Sequence, residues 1–286
     1  MAPDRPGVRF FKMSGGGNDF IAVQDPSFLT PHHVETLCSR GLSLGADGMF
    51  SVEQLASGEA PTVKMTYCNA DGTRARLCVN ATRCAALLAF HLGWATDRVT
   101  MVTAAGEIKA ARTGEFEVAL ELPPPRRAIE KAVEVEGDEI VGWFVDTGVP
   151  HFVLEWPENL AAAPVAELGP VLREAPVFEA GANVDFVRIV SLHRLEIRTF
   201  ERGVEGETLS CGTGVLAAAA VAVQLGRADL PLLALTTGGF ELSVDGSVGE
   251  DGSIAAWTLA GDARLLAEGV LSAGALAIPG PPLWSD

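Results

Sequence analysis

The 286-residue chain is poor in cations: 21 lysines and arginines stand against 37 aspartates and glutamates, a net charge of −16. That balance excludes nucleic acid and an anionic membrane as main partners. It also leaves any anionic substrate to be held by local donors rather than by the field of the whole protein. Long apolar runs are missing. The longest, residues 215–225, is broken by Gln224 and is too short to span a bilayer. The first six residues, Met1 to Pro6, lack the apolar stretch of a signal peptide. Five cysteines, an odd number with no CxxC pair, exclude a disulfide framework and point to a reducing cytoplasm. Histidine is scarce, and His32-His33 is a lone adjacent pair without zinc-ligand spacing, so no metal is expected. Lysine occurs only at Lys12, Lys64, Lys109 and Lys131, none in a Schiff-base motif, which disfavours pyridoxal phosphate; no cofactor is expected.

What is present is a device built twice. Thr66-Tyr67-Cys68-Asn69 leads to Cys78-Val79-Asn80-Ala81 and an Ala/Leu run ending at Leu92-Gly93. Thr199-Phe200-Glu201-Arg202 leads to Cys211-Gly212-Thr213-Gly214 and an Ala/Val run ending at Leu225-Gly226. The offset is 133 residues throughout, and the match continues from Thr103-Ala104-Ala105-Gly106 to Thr236-Thr237-Gly238-Gly239. A duplicated fold with one thiol per copy predicts two thiols facing each other across an inter-domain cleft. Such a pair suits a reaction that removes a proton from one side of a carbon and returns it on the other.

The apolar content, 48%, is ample for two cores. Residues 10–13 and 20–23 flank a glycine-rich turn and read as strands. Residues 31–42 read as a helix, with Thr30 as N-cap and Pro31 at its first position. Residues 49–53 and 63–67 read as strands, 69–72 as a turn, and 80–92 as a helix apolar almost all round. Strands follow at 99–103, 107–111 and 116–122. Pro123-Pro124-Pro125-Arg126-Arg127 is the candidate linker. Beyond it, 143–147 and 151–155 read as strands, 165–173 as a helix, and 183–190 and 195–200 as strands. The second cysteine helix and further strands to Leu271 complete the pattern, and the Ala-Ile-Pro-Gly-Pro-Pro tail reads as loose. The fold class is α+β: two pseudo-symmetric domains, each a curved, mostly antiparallel sheet around a central buried helix. The expected domains are 1–122, completed by 263–286, and 123–262.

Cysteines at these helix starts have a chemical reason. A first helical turn offers N–H groups without intrahelical partners at the positive end of the dipole. A thiol there is expected to ionise below its ordinary value, and a carboxylate can dock on the same N–H groups. Asn80 or Cys78 is expected to cap the first helix, and Cys211 or Thr213 the second. Deprotonating an amino acid at its α-carbon drives charge into the carboxylate, where aimed donors stabilise it, while a thiolate base and a thiol acid move the proton. Cys38, Cys68 and Cys84 read as small buried hydrophobes. Asp19, Asp47 and Asp71 read as turn formers.

Five ordered blocks resemble diaminopimelate epimerase, the cofactor-independent epimerase family of lysine and peptidoglycan biosynthesis. They are Lys12 to Phe20; Gly45-Ala46-Asp47-Gly48; Asn69 to Gly72 with Cys78 to Cys84; Gly148-Val149-Pro150-His151; and Asn183 with Glu201-Arg202-Gly203 and Cys211 to Gly214. The resemblance implies that Cys78 and Cys211 are the catalytic pair. It further implies that Asn18, Asn69 and Asn183 hydrogen-bond the substrate, and that Arg202 grips its distal carboxylate. Glu201 and His151 would lie beside the reacting amino group and tune the cysteines. The N–H groups of Val79, Asn80, Gly212 and Thr213 would hold the reacting carboxylate. The partner implied is a small amino-acid substrate. A homodimer is left open, because Ala267 stands where enterobacterial members have a dimer-contact tyrosine. The family's usual Gly-Asn-Gly is here Val79-Asn80-Ala81, and Val149 replaces a common Asn, removing one donor.

The sequence leaves other readings standing. A related racemase with a different amino-acid substrate, such as a proline-racemase-like enzyme, would use the same cysteine pair. Phenazine-type isomerases share the expected fold but lack the pair. A cysteine hydrolase needs one thiol and a histidine base and has no use for the second thiol. A non-catalytic binding protein of the same fold would exchange no α-proton.

Overall fold

The computed structural model describes residues 7–249 and 254–277. The N-terminal six residues and the tail from Ile278 lie outside them, as therefore do the signal-peptide reading and nearly all of the loose-tail reading. Among the described residues, eighteen strands and four α-helices follow in chain order. They are β1 (Arg9–Gly15), β2 (Asn18–Val23), α1 (Pro31–Cys38), β3 (Gly48–Ala56), β4 (Thr62–Asn69), β5 (Arg74–Ala75), α2 (Val79–His91), β6 (Arg98–Thr103) and β7 (Gly106–Gly114). Next come β8 (Glu117–Leu122), β9 (Ile129–Val135), β10 (Asp138–Asp146), β11 (Pro150–Glu155), α3 (Val165–Arg173), β12 (Asn183–Ser191), β13 (Arg194–Glu201) and β14 (Gly206–Thr208). The chain continues with α4 (Gly212–Gln224), β15 (Leu232–Thr236), β16 (Glu241–Val248), β17 (Ile254–Asp262) and β18 (Arg264–Val270).

Two compact units divide these elements, residues 1–112 with 263–286 and residues 113–262. In the first, β18 pairs with β1, β1 with β2, β2 in parallel with β3, β3 with β4, β4 in parallel with β6, and β6 with β7. The second repeats that alternation: β9, β10 and β11 in antiparallel order, β11 parallel to β12, β12 with β13, β13 parallel to β15, then β16, β17 and β8. The architecture is α+β, and the repeated strand order is the structural counterpart of the sequence repeat.

The expected division at Pro123 differs from the observed one. Strand β8 pairs along its length with β17, from Glu117↔Asp262 to Leu122↔Trp257, so it belongs to the second unit. Helix α1 is also shorter than expected. Thr30 caps it by accepting from the His33 N–H, and Pro31 occupies its first turn, but it stops at Cys38. The next residues turn through Gly41 at φ +80°, and Leu42 and Leu44 are exposed, so no apolar face remains to carry the helix onward.

Helices α2 and α4 are each 13 residues long and start 133 residues apart. Both are buried nearly all round, which is why their sequences lack an amphipathic stripe. Helix α2 packs against β1, β3, β4, β6 and β18 of its unit, and α4 against β10 to β13 and β16 of its own. No helix among the described residues is long and apolar enough to cross a membrane.

Candidate active site

In the first unit, Cys78 occupies the N-cap of α2 with an extended backbone (φ −130°, ψ 109°), and its side chain makes no capping bond. Asn80 does not cap either. Its Nδ2 donates to Oδ1 of Asn18 at 2.9 Å, and its Oδ1 accepts from Nη2 of the fully buried Arg83 at 2.6 Å. Asn18 in turn donates from Nδ2 to Asp47 at 3.1 Å. The hairpin that carries Asn18 turns through Gly16 and Gly17, both at positive φ, and a Cβ on Gly16 would lie 2.9 Å from the Asn80 amide. Val79 is buried at the start of α2. Asn69 closes its turn by donating to Thr73 Oγ1 at 3.1 Å. A cavity of about 220 Å³ borders Cys78, lined among others by Thr66, Tyr67, Arg74, Arg76 and Thr103. Its two arginines make it locally basic in an acidic protein.

Asp47 and Asp19 do more than form turns. Arg40 donates to Asp19, and to Asp47 at 2.6 Å, while Lys12 donates to Asp19 at 2.6 Å and to the Gly45 carbonyl. Burial alone would raise the Asp19 carboxyl, but Arg40 and Lys12 outweigh it and hold the group below its ordinary 3.8. This ionic cluster fixes Asp47, which fixes Asn18. The Asp residues in two separate blocks were the available signal, but nothing in the sequence pairs them.

In the second unit, Cys211 occupies the N-cap of α4 (φ −116°, ψ 107°), again without a side-chain capping bond. Its Sγ lies 3.4 Å from Thr213 Oγ1. Its ionisation runs opposite to the expectation from helix position. Burial pushes the thiol well above its ordinary value, and the nearby carboxylates of Glu201 and Asp185 push the same way. The Thr213 hydroxyl and Gly214 N–H pull it down but do not compensate. Cys211 therefore holds its proton at neutral pH. The Glu201 carboxyl is also raised above 4.5, chiefly by burial, with Asp185 adding to the rise and Thr208, His151 and Cys211 opposing it.

Around Cys211 the polar groups form one directed chain. His151, on β11, is fully buried; its Nδ1 lies 2.7 Å from Asp185 Oδ2 and its Nε2 lies 3.3 Å from Asn183 Nδ2. Asn183 Oδ1 accepts the Arg202 N–H at 2.8 Å, and its Nδ2 also donates to the Pro150 carbonyl at 3.2 Å. Both donors of the Asn183 amide are thus engaged within the protein, as are both ring nitrogens of His151. Arg202, half-buried at the end of β13, donates from Nη1 to the Ala180 carbonyl at 2.6 Å, while the adjacent Glu201 is turned into the interior. Gly212 and Gly214 are buried in the first turn of α4, and Thr213 is half-buried between them. Two members of this cluster, Asp185 and Thr199, were not singled out from the sequence. Asp185 lies inside the apolar run Asn183-Val184-Asp185-Phe186-Val187, and an acid flanked by strand core residues is the signal that a buried partner must exist.

The other three cysteines are buried. Burial pushes Cys38 up to about 12 and also raises Cys68.

The model of the diaminopimelate epimerase family matches residues 10–127 and 143–254 of the chain. The chain is 36% identical over 252 residues to the diaminopimelate epimerase of Aquifex aeolicus (strain VF5), covering 83% of this chain and 90% of that protein. It is 36% identical over 252 residues to that of Methanothrix thermoacetophila, covering 81% and 87%. Among solved structures, a probable proline racemase from Agrobacterium radiobacter K84 matches with a TM-score of 0.70 at 16% identity, covering 93% of each chain. A Bacillus anthracis phenazine biosynthesis protein of the PhzF family matches with a TM-score of 0.68 at 16% identity, covering 94% of this chain and 100% of that one. At such identity these two speak for the fold alone. The family match and the extent of the sequence relationship lead to one conclusion: the chain belongs to the diaminopimelate epimerase family.

Proposed function

We propose that this protein is an isomerase that interconverts LL- and meso-2,6-diaminopimelate, with Cys78 and Cys211 as the two proton-transferring groups on one α-carbon. The observation that carries the reading is the repeat itself. In a member of this family, each unit sets a single cysteine at the N-cap of a 13-residue buried helix. One sulfur, as thiolate, takes the α-proton; the other, as thiol, delivers its own proton to the opposite face, and the two exchange roles for the reverse reaction.

The first-turn N–H groups of Val79, Asn80, Gly212 and Thr213 stabilise the charge that develops on the reacting carboxylate, and the helix dipoles add to them. Arg202 takes the distal carboxylate with the N–H groups of its planar fork that the Ala180 carbonyl leaves available. Asn18 and Asn69 supply polar contacts from the first unit. The raised Cys211 thiol fits the proton donor in one direction, and Glu201, half-buried beside it, adjusts its proton affinity. His151 and Asn183 support these groups from behind, since their own hydrogen-bonding capacity is largely spent inside the protein. The chemistry requires no cofactor. Its place is amino-acid biosynthesis, the route to lysine.

The test is isotope exchange. Reduced protein in D₂O is expected to wash deuterium into the α-position of diaminopimelate without added cofactor. Cys78→Ala and Cys211→Ala are each expected to lower epimerisation at least roughly 100-fold, as for loss of an acid–base group. Activity surviving in either variant would overturn the two-thiol reading. A panel of other amino acids decides the second reading, a racemase of different substrate, which Val149 in place of a donor favours.

A further inference from the structure

We propose that Asp185 is a positioning residue for substrate binding: its carboxylate fixes the tautomer of His151 and, through the Asn183 amide, holds the backbone at Arg202. The proposal rests on the reading above in one respect, that Arg202 grips the substrate.

The argument begins with burial. Asp185 and His151 are both fully buried, and a buried carboxylate persists only where donors satisfy it. Asp185 has two. Thr199 Oγ1 donates to Oδ1 at 2.7 Å, and His151 Nδ1 lies 2.7 Å from Oδ2. Strand register builds the contact: Asp185 lies opposite Thr199 on antiparallel β13, and β11 runs parallel on the other side with His151 opposite Asn183. The first turn of α4 leaves room for it, because a Cβ on Gly214 would come within 2.5 Å of Asp185 Oδ1.

Polarity then passes along the chain in one direction. An ionised carboxylate only accepts, so His151 Nδ1 carries the hydrogen. In the neutral ring Nε2 is then an acceptor, and it takes a hydrogen from Asn183 Nδ2. That orients the Asn183 amide with Oδ1 toward the Arg202 N–H, at 2.8 Å. The opposite tautomer would set Nε2–H against Nδ2–H, and relief of that clash would turn the amide and release the Arg202 backbone. An amide at position 185 presents a donor and an acceptor and no longer dictates which end faces His151.

The experiment pairs spectroscopy with kinetics. ¹⁵N NMR of the imidazoles in the wild-type protein is expected to show His151 as the single Nδ1–H tautomer; an Nε2–H tautomer would overturn the proposal. In Asp185→Asn the Nε2–H form is expected to appear, and KM for diaminopimelate to rise roughly tenfold, with kcat falling less than threefold. Merely structural damage would instead reduce the active fraction, lowering kcat at unchanged KM, and that result would also overturn the proposal. Should Asp185→Asn not fold, the wild-type tautomer still decides. Should wild-type protein show no α-proton exchange, the proposed reaction fails, and the tautomer is read separately.

Discussion

Asn80 donates from Nδ2 to Oδ1 of Asn18 across 2.9 Å, and so ties the first turn of α2 to the end of the β1–β2 hairpin. The link continues at both ends, to the buried guanidinium of Arg83 and to the Asp47 carboxylate. Asn80→Ala removes an acceptor from a buried cation and a donor from Asn18. Hydrogen bonds to charged groups contribute about 1.5–3 kcal/mol, so a loss of about 2 kcal/mol is expected in urea unfolding. A loss under about 0.5 kcal/mol would show that the network is not structural.

The cysteines should separate by reactivity. Cys78 is half-buried, whereas Cys38, Cys68, Cys84 and Cys211 are buried, and the thiols of Cys38, Cys68 and Cys211 are raised. Alkylation proceeds through the thiolate: exposure favours Cys78, and the raised thiols of Cys38, Cys68 and Cys211 disfavour those three. Brief iodoacetamide treatment at pH 7.5, mapped by mass spectrometry, is expected to label Cys78 first. Equal or faster labelling of Cys211 would contradict the ionisation described for it.

Much of this was legible from sequence because the repeat is written in residues that have no other explanation. The first cysteine helix, read as 80–92, matches α2 to within a residue at each end, and the same cysteine offset marks α4 as its counterpart. Thr30 and Pro31 locate the start of α1, and the bounds of α3 follow from its apolar spacing in spite of Gly169 and Pro170 in its interior. Strand β9 was not legible. In Ile129–Val135 only Val133 is buried, so no alternation of apolar and polar residues marks it. Nor was the partner of β8, which lies on β17 far along the chain. The same reason hid Asp185 and reversed the expectation for Cys211. Helix position lowers a thiol through local dipoles, but burial and carboxylates brought in by β12 and β13 dominate here, and strand register is not a local property.

Glu201 links stability to pH with a definite sign. Its carboxyl is raised above 4.5 in the folded protein, so the neutral form is favoured there. Such a group contributes stability below the unfolded value, and that contribution is lost as pH rises through the folded value. Glu201→Gln mimics the neutral form. Its stability relative to wild type is expected to increase from about pH 4.5 upward and then level off, while activity falls. Chemical denaturation at a series of pH values measures this, and a gap that narrows with rising pH would reverse the assignment.

Gly214 sets two effects against each other. Replacing a helical glycine by alanine ordinarily gains about 0.5–1 kcal/mol by restricting the unfolded chain. Here the added Cβ would stand 2.5 Å from Asp185 Oδ1 and 3.0 Å from Thr199 Oγ1. Neither neighbour is the loose end of a long side chain; both are buried and bonded to each other. Overpacking of this kind costs about 1–3 kcal/mol, so the steric effect wins. Gly214→Ala is expected to lower stability and, by displacing Asp185, to raise KM in the manner of Asp185→Asn. Gly206, on β14, is the comparison, since a Cβ there meets nothing within 4 Å. Gly206→Ala is expected to change stability by less than about 0.5 kcal/mol. Thermal unfolding of the two variants side by side decides the matter: a Gly214→Ala protein as stable as wild type would mean that Asp185 is free to move, and the chain of orientation from it to Arg202 would lose its anchor.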